Sequence, residues 1–356
     1  MTHKIGFIGF GGIASGYHYD VAKDRKDVCP NIEPYAVYDV RQSRRDVAIE
    51  RGLIAYDNLE DFLANDEIDI VVVATPNQFH CEYSCKALEA GKHVICEKPA
   101  AMSPAEFQIM SDTSKKCGKL LLIHQNRRTD RDFMVLKHAK DTGRFGKIYN
   151  IESKFCGGLM TGWRCFKDHG GGIFYDWGVH LIDQMVYLMN EPVKTVYADL
   201  KNEKSYEVDD NFFLELIFES GTSARITVSG TFLPPHNRFE VYGEKGILWT
   251  EKIFQENANF RHAKKSEWTT EVVDAYNENG VYPRESKYIA EEIETISLPG
   301  GYPTFAQDWA MYSYRNMIDA IDGRAEMNVT HEQVMTTLRI IDAAFESSKT
   351  GKAVQL

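Results

Sequence analysis

The chain has 356 residues, 43% hydrophobic and 26% charged, and its 52 acidic against 41 basic side chains leave a net charge of -11. That length holds two domains with proper cores, and no Lys/Arg run offers a nucleic-acid footprint, which excludes a polyanionic partner of that kind. The opening MTHKIGFIGFGG lacks a signal-peptide layout and no apolar segment reaches the length of a bilayer span, so the expectation is a cytoplasmic protein without membrane contact.

Lys4 to Ile8 reads as a buried strand running into Gly9-Phe10-Gly11-Gly12-Ile13-Ala14, a GxGxxA run followed by helix-compatible sequence. Strand, tight turn and helix is the order that binds a dinucleotide. The glycines let the backbone approach a pyrophosphate, and the helix start offers unpaired N–H groups to it. Gly9, Gly11, Gly12 and Ile13 are therefore candidate cofactor contacts. A second strand, Tyr35 to Tyr38, ends in Asp39, where a carboxylate holds both ribose hydroxyls of NAD and repels the 2′-phosphate of NADP. Arg41 keeps NADP open, with NAD preferred. The distance from the glycines exceeds the usual ~20 residues, and residues 24–33 read as a lengthened loop.

Strands Asp69 to Ala74, His93 to Cys96 and Leu120 to His124 then alternate with helices near Gln78–Ala90 and Pro104–Cys117. Continuous apolar runs between amphipathic helices predict a parallel sheet covered on both faces, a doubly wound Rossmann α/β domain over residues 1–125. Ligands of such sheets lie at the carboxyl ends of the strands. Thr75, Pro76 and Asn77, and Glu97, Lys98 and Pro99, are thus expected to line the cofactor cleft.

From Lys147 the pattern changes to period-two alternation over 148–155, 193–200, 212–218, 224–229 and 238–242. This predicts a C-terminal α+β domain, residues 126–304, on a large, mainly antiparallel, open-faced sheet. Its free face must be covered, by its own helices or by another subunit. Within this domain Gly170-Gly171-Gly172 precedes YDWGVHLID, which sets Asp176 and His180 four apart. On a helix the two stack on one face, so a carboxylate and an imidazole converge. Asp183 lies near the same stripe, in a direct role or in an orienting or capping one. The plainer alternative is a core helix of Val179, Ile182, Met185 and Val186 whose polar residues are solvated.

Aromatic rings cluster about this segment, and flat rings complement the C–H faces of a sugar or an aglycone. Trp163 and Phe166, in a loop ahead of the glycines, are the expected substrate contacts, with Tyr175 beside Asp176; core packing is the competing explanation. Residues 251–304 form a long polar stretch, read as a surface excursion or an arm toward a neighbouring active site. The last helices, near Ala306–Asp322 and Glu332–Ser348 within residues 305–356, are expected to pack back on the first domain. The seven cysteines contain no CxxC pair, and His169, Asp176 and His180 lack tight ligand spacing, so no metal is expected.

In this order, GFGGIA, TPNQFH (75–80), EKP (97–99) and GGGIFYDWGVHLID (170–183), joined by GRFGKI, YGEKGILW and the tail AAFESSKTGKAVQL, resemble the Gfo/Idh/MocA family of NAD(P)-dependent oxidoreductases along nearly the whole chain. The resemblance implies that Lys98, Asp176 and His180 surround the reacting carbon. His180 would take the hydroxyl proton, Lys98 would stabilise charge on that oxygen, and Asp176 would hold Lys98 and substrate. It also places His80 near the nicotinamide and implies a homo-oligomer joined through the open sheet face. The substrate class implied is a sugar, cyclitol or glycoside, with the C3 hydroxyl of a glucoside favoured. An inositol or monosaccharide dehydrogenase or reductase is one alternative. A non-catalytic NAD-binding sugar sensor is the other, disfavoured by the joint presence of Lys98, Asp176 and His180.

Overall fold

Apolar residues on both faces of a strand require cover on both sides, and the first domain supplies it. In the computed structural model, which describes residues 2–231, 237–263, 291–300 and 310–356, strands β1 (His3–Ile8), β2 (Ile32–Tyr38), β3 (Ile54–Tyr56), β4 (Ile70–Val73), β5 (His93–Cys96) and β6 (Leu121–Ile123) form one parallel sheet in the order 3-2-1-4-5-6. Every residue of β4 is buried. The chain reverses direction across the sheet between β1 and β4, which opens a crevice at the carboxyl ends of the strands. Helices α1 (Tyr19–Asp24), α2 (Gln42–Glu50), α3 (Leu59–Leu63), α4 (His80–Glu89) and α5 (Pro104–Cys117) connect these strands. Local chemistry sets their ends: Ser103 Oγ accepts from Glu106 N at 3.2 Å, Pro104 occupies the first turn, and Gly118 closes α5 at φ +62°.

The second sheet has nine strands: β7 (Ile148–Cys156), β8 (Val193–Lys201), β9 (Asn211–Phe218), β10 (Ser223–Ser229), β11 (Phe239–Gly243), β12 (Gly246–Thr250), β13 (Asn257–Ala263), β14 (Glu291–Ser297) and β15 (Val354–Gln355). Their order is 14-13-12-11-7-10-9-8-15, and only the central β7–β10 pair is parallel. Strict alternation of buried and half-buried residues along β9 gives it one core face. The other face carries polar cross-strand pairs: Lys154 Nζ reaches Glu152 Oε2 at 2.6 Å and Glu240 Oε1 at 3.1 Å.

Two expectations change here. The polar stretch 251–304 is not simply an excursion, because β13 and β14 lie within it. Only Ala258, Phe260 and Ile296 of those strands reach the core, so their hydrophobic signal is faint; residues 264–290 and 301–309 lie outside the described residues. An additional helix, α6 (Arg131–Asp141), lies between β6 and β7, before α7 (Val179–Met189).

The C-terminal helices are α8 (Asn316–Ile321) and α9 (His331–Thr350), the latter starting on a capping box between Thr330 and Gln333. Helix α9 touches both sheets. His331 lies 2.8 Å from Ser111 Oγ and 3.0 Å from Leu121 O on the first domain. Ser347 and Ser348 accept from Ala198 N and Leu200 N of β8, each at 2.9 Å.

Candidate functional site

A cleft of about 650 Å³ runs along the carboxyl ends of β1, β2, β4 and β5 and is closed on its far side by the segment from Trp163 to His180. At the near end Gly9 adopts φ +84°, and a Cβ there would come within 2.8 Å of Ala74 O, so the turn admits only glycine. Gly11 and Gly12 are different: a Cβ at either would meet nothing within 4 Å. Their space belongs to the cleft. Asp39, at the end of β2, is buried and accepts from Phe10 N at 2.8 Å and Arg41 N at 2.9 Å. It fixes the glycine turn while facing the cleft, and the exposed Arg41 guanidinium stands 3.3 Å from the same carboxylate.

Thr75, Pro76 and Asn77 follow β4 and form the floor. The Thr75 Oγ1 is buried without a partner among the described residues. Asn77 Nδ2 donates to Gly170 O at 2.8 Å and so ties the floor to the opposite wall. His80 lines the cleft, yet its two ring nitrogens stand 2.7 Å from Pro99 O and 3.0 Å from Thr75 O. It braces the TPN turn against the EKP turn. Glu97 also points inward, to His124 Nδ1 at 2.7 Å and His18 Nε2 at 2.9 Å. Burial alone would raise its carboxyl, but these histidines hold it well below the usual carboxylate range.

Lys98 crosses to the second domain. Its Nζ donates to Asp176 O at 2.9 Å and to Asp176 Oδ1 at 3.1 Å, and Arg164 Nε donates to the same Oδ1 at 3.2 Å. Burial opposes ionisation of Asp176, but Lys98 and Arg164 together keep its carboxyl below the ordinary value. The helix that carries it is not uniformly α: residues Phe174–Gly178 form a π-helical turn before α7. Such turns recur at functional sites because they displace side chains from regular helical positions. Asp176 and His180 both face the cleft but make no direct hydrogen bond.

The three glycines ahead of this turn are crowded. A Cβ on Gly171 would strike the Arg164 carbonyl, and one on Gly172, at φ +108°, would strike the Asp209 carboxylate. Asp209 Oδ2 in turn accepts from Phe174 N at 2.6 Å and anchors the first turn.

His180 is buried, and its Nδ1 has no partner among the described residues. Burial first, then the cations Lys98 and Arg127, hold its pKa well below the usual imidazole value. The ring is therefore neutral at pH 7 and has a lone pair to offer. Trp177 stands edge-on to it at 6.1 Å, with the Arg127 guanidinium 4.5 Å above the Trp177 ring.

The glycine turn, Asp39, Arg41, the TPN residues, Glu97, Lys98, Trp163, Asp176 and His180 thus share one cleft, whereas Pro99, expected there, does not line it. Two expected substrate residues stand outside it. Phe166 packs on His169 and Tyr206, and Tyr175 packs on Phe345 and donates to Met102 O at 3.3 Å. Asp183 is also no part of the cleft; it makes a bidentate pair with buried Arg128, at 2.6 and 2.7 Å. Asn126, Arg127 and Arg164 line the cleft without having been singled out. For the first two the signal was available, since they follow β6 at its carboxyl end. Arg164 sits on a loop turn that no periodicity marks.

Residues 3–125 match the oxidoreductase family with an NAD-binding Rossmann fold, and residues 133–249 match the GFO/IDH/MocA C-terminal domain. Among characterised proteins, the chain is 27% identical to scyllo-inositol 2-dehydrogenase (NADP(+)) of Bacillus subtilis, covering 100% of this chain and 96% of that protein. It is 28% identical to D-glucoside 3-dehydrogenase of Escherichia coli, covering 99% and 97%. A solved NAD-binding protein from Listeria innocua superposes with a TM-score of 0.82 at 32% identity, over 100% of this chain and 97% of that one.

Proposed function

This chain belongs to the Gfo/Idh/MocA oxidoreductases, and on that footing we propose that it is an NAD-dependent dehydrogenase oxidising a secondary hydroxyl of a sugar or glycoside to a ketone, with C3 of a glucoside the favoured position. The family makes it an NAD(P)-dependent enzyme acting on CH–OH groups. One contact carries the finer reading: Lys98 of the Rossmann domain reaches Asp176 of the second domain beside a neutral, unpartnered His180.

The cleft fits a dinucleotide. The open space over Gly11 and Gly12 suits a pyrophosphate, Asp39 suits the ribose, and Thr75 and Asn77 lead from there to Lys98. When bound, the nicotinamide supplies the hydride acceptor. The remaining work falls to the chain. Lys98 donates to the substrate oxygen and stabilises the charge that develops as its proton leaves. His180 accepts that proton at Nε2, because its Nδ1 is buried out of reach of the cleft. Asp176 holds Lys98 in place.

Purified protein incubated with NAD and a panel of glycosides, free sugars and cyclitols should form NADH with at least one glucoside, and NMR should locate the new ketone at C3. A cyclitol or another position as the best substrate would redirect the specificity; no turnover with any polyol would favour the sensor reading.

The preference for NAD rests on Asp39. Asp39→Ala should lower the ratio of NAD to NADP affinity, measured by titration of each nucleotide, even though loss of the Phe10 contact weakens both. A parent protein that already binds NADP more tightly would reverse the assignment.

Trp163 is the remaining ring expected to meet substrate directly. Trp163→Ala should raise KM for the best substrate about tenfold, as loss of a stacking contact above ~1 kcal/mol requires, and Trp163→Phe should recover most of it. Identical kinetics in all three proteins would return Trp163 to a packing role.

A further inference from the structure

The wall that faces the substrate carries three cations, Lys98, Arg127 and Arg164, with Asp176 and Glu97 as its carboxylates and Arg127 paired to Asp130 at 3.2 Å. Both Lys98 and Arg164 converge on Asp176 Oδ1, and Oδ2 receives no donor among the described residues.

Arg164 is held by one edge only. Its Nε is fixed to Asp176, and its guanidinium lies 4.5 Å from the Trp163 ring centroid, which sets the plane. Among the described residues neither terminal nitrogen has an acceptor, and the side chain is 40% exposed at the cleft wall. A guanidinium oriented in this way presents a ready fork to an oxyanion, the group its planar donors match best. Arg127 lines the same cleft, braced on Trp177 and on Asp130 at 3.2 Å.

We propose that the natural substrate bears an anionic group, a carboxylate or a phosphate, seated on the free edge of Arg164 and within the field of Arg127, while its reacting hydroxyl faces Lys98 and His180. The substrate class is an acidic sugar, uronide or sugar phosphate rather than a neutral glycoside. This rests on the dehydrogenase reading above for the position of the hydroxyl, but the anion site itself depends only on the wall residues.

The test compares matched pairs: methyl glucoside with methyl glucuronide, and glucose with glucose 6-phosphate. Each is assayed for NADH formation and, independently, for binding by quenching of intrinsic tryptophan fluorescence, since Trp163 and Trp177 flank the site. One anionic member should exceed its neutral counterpart about 10- to 100-fold in kcat/KM and in affinity, the range of a hydrogen-bonded charge. The member that does so tells carboxylate from phosphate. Arg164→Gln should collapse the ratio toward one, Arg164→Lys should restore part of it, and raised ionic strength should shrink it. Neutral members that match or exceed the anionic ones in the parent protein would overturn the proposal while leaving the dehydrogenase intact. Arg164-dependent binding of an anionic sugar without oxidation of any polyol would uphold the anion site and overturn the catalytic reading instead.

Discussion

His180→Asn is expected to cut turnover by about 10²- to 10⁴-fold, the contribution of a positioned general base. Asparagine keeps a polar side chain of similar size but accepts no proton at neutral pH. Cofactor affinity should change little, because the glycine turn and Asp39 stand on the other domain. The parent enzyme should also show where the base titrates. Burial, then Lys98 and Arg127, lower the pKa of His180, and the neutral ring is the active form. Activity should therefore persist as pH falls through 6.5 and drop only below it, and the variant should lack that acid limb. A limb above pH 7, or a variant as fast as the parent, would move proton acceptance to another group.

The second large effect concerns stability. Arg128 is fully buried, bonded through two nitrogens to Asp183 and through the third to Gln333 Oε1 at 2.9 Å and Asn328 O at 3.1 Å. It joins the turn after β6 to α7 and to the start of α9. Arg128→Met should destabilise the protein by about 3–5 kcal/mol, because it strands the Asp183 carboxylate in the core. Adding Asp183→Leu should recover much of that loss, since two apolar side chains leave no charge unpaired. Chemical denaturation of both variants measures this. A double variant no more stable than the single one would show that the bonds to Gln333 and Asn328, rather than the ion pair, dominate.

The chain announced its first domain clearly because parallel strands buried on both faces appear as unbroken apolar runs, and the glycine turn comes directly after one of them. Lys98, Asp176 and His180 were legible from motif order. Their geometry was not: the π-helical turn at Phe174–Gly178 has no distinct periodicity, and an α-helical stacking of Asp176 on His180 does not describe it. Strands β13 and β14 were hidden because a sheet with one polar face can carry very few apolar residues near its edge. The aromatic residues failed as a group for a similar reason. Trp163, Phe166 and Tyr175 look alike in composition, and only the backbone turns at 162–169 and 174–178 decide that the first faces the cleft and the other two do not.

The crowding around Gly170, Gly171 and Gly172 has an evolutionary side. Their backbone touches the Arg164 carbonyl, Asn77 and the Asp209 carboxylate so closely that any side chain there displaces the turn holding Asp176. These positions are closed to drift. The loop they pin is not, because the side chain of Trp163 extends from it into open cleft, where replacement disturbs no core. One short segment thus separates a rigid reaction geometry from an adaptable recognition surface. A lineage can reshape that surface by changing Trp163, while Arg164, bonded to Asp176, and the turn behind it stay in place.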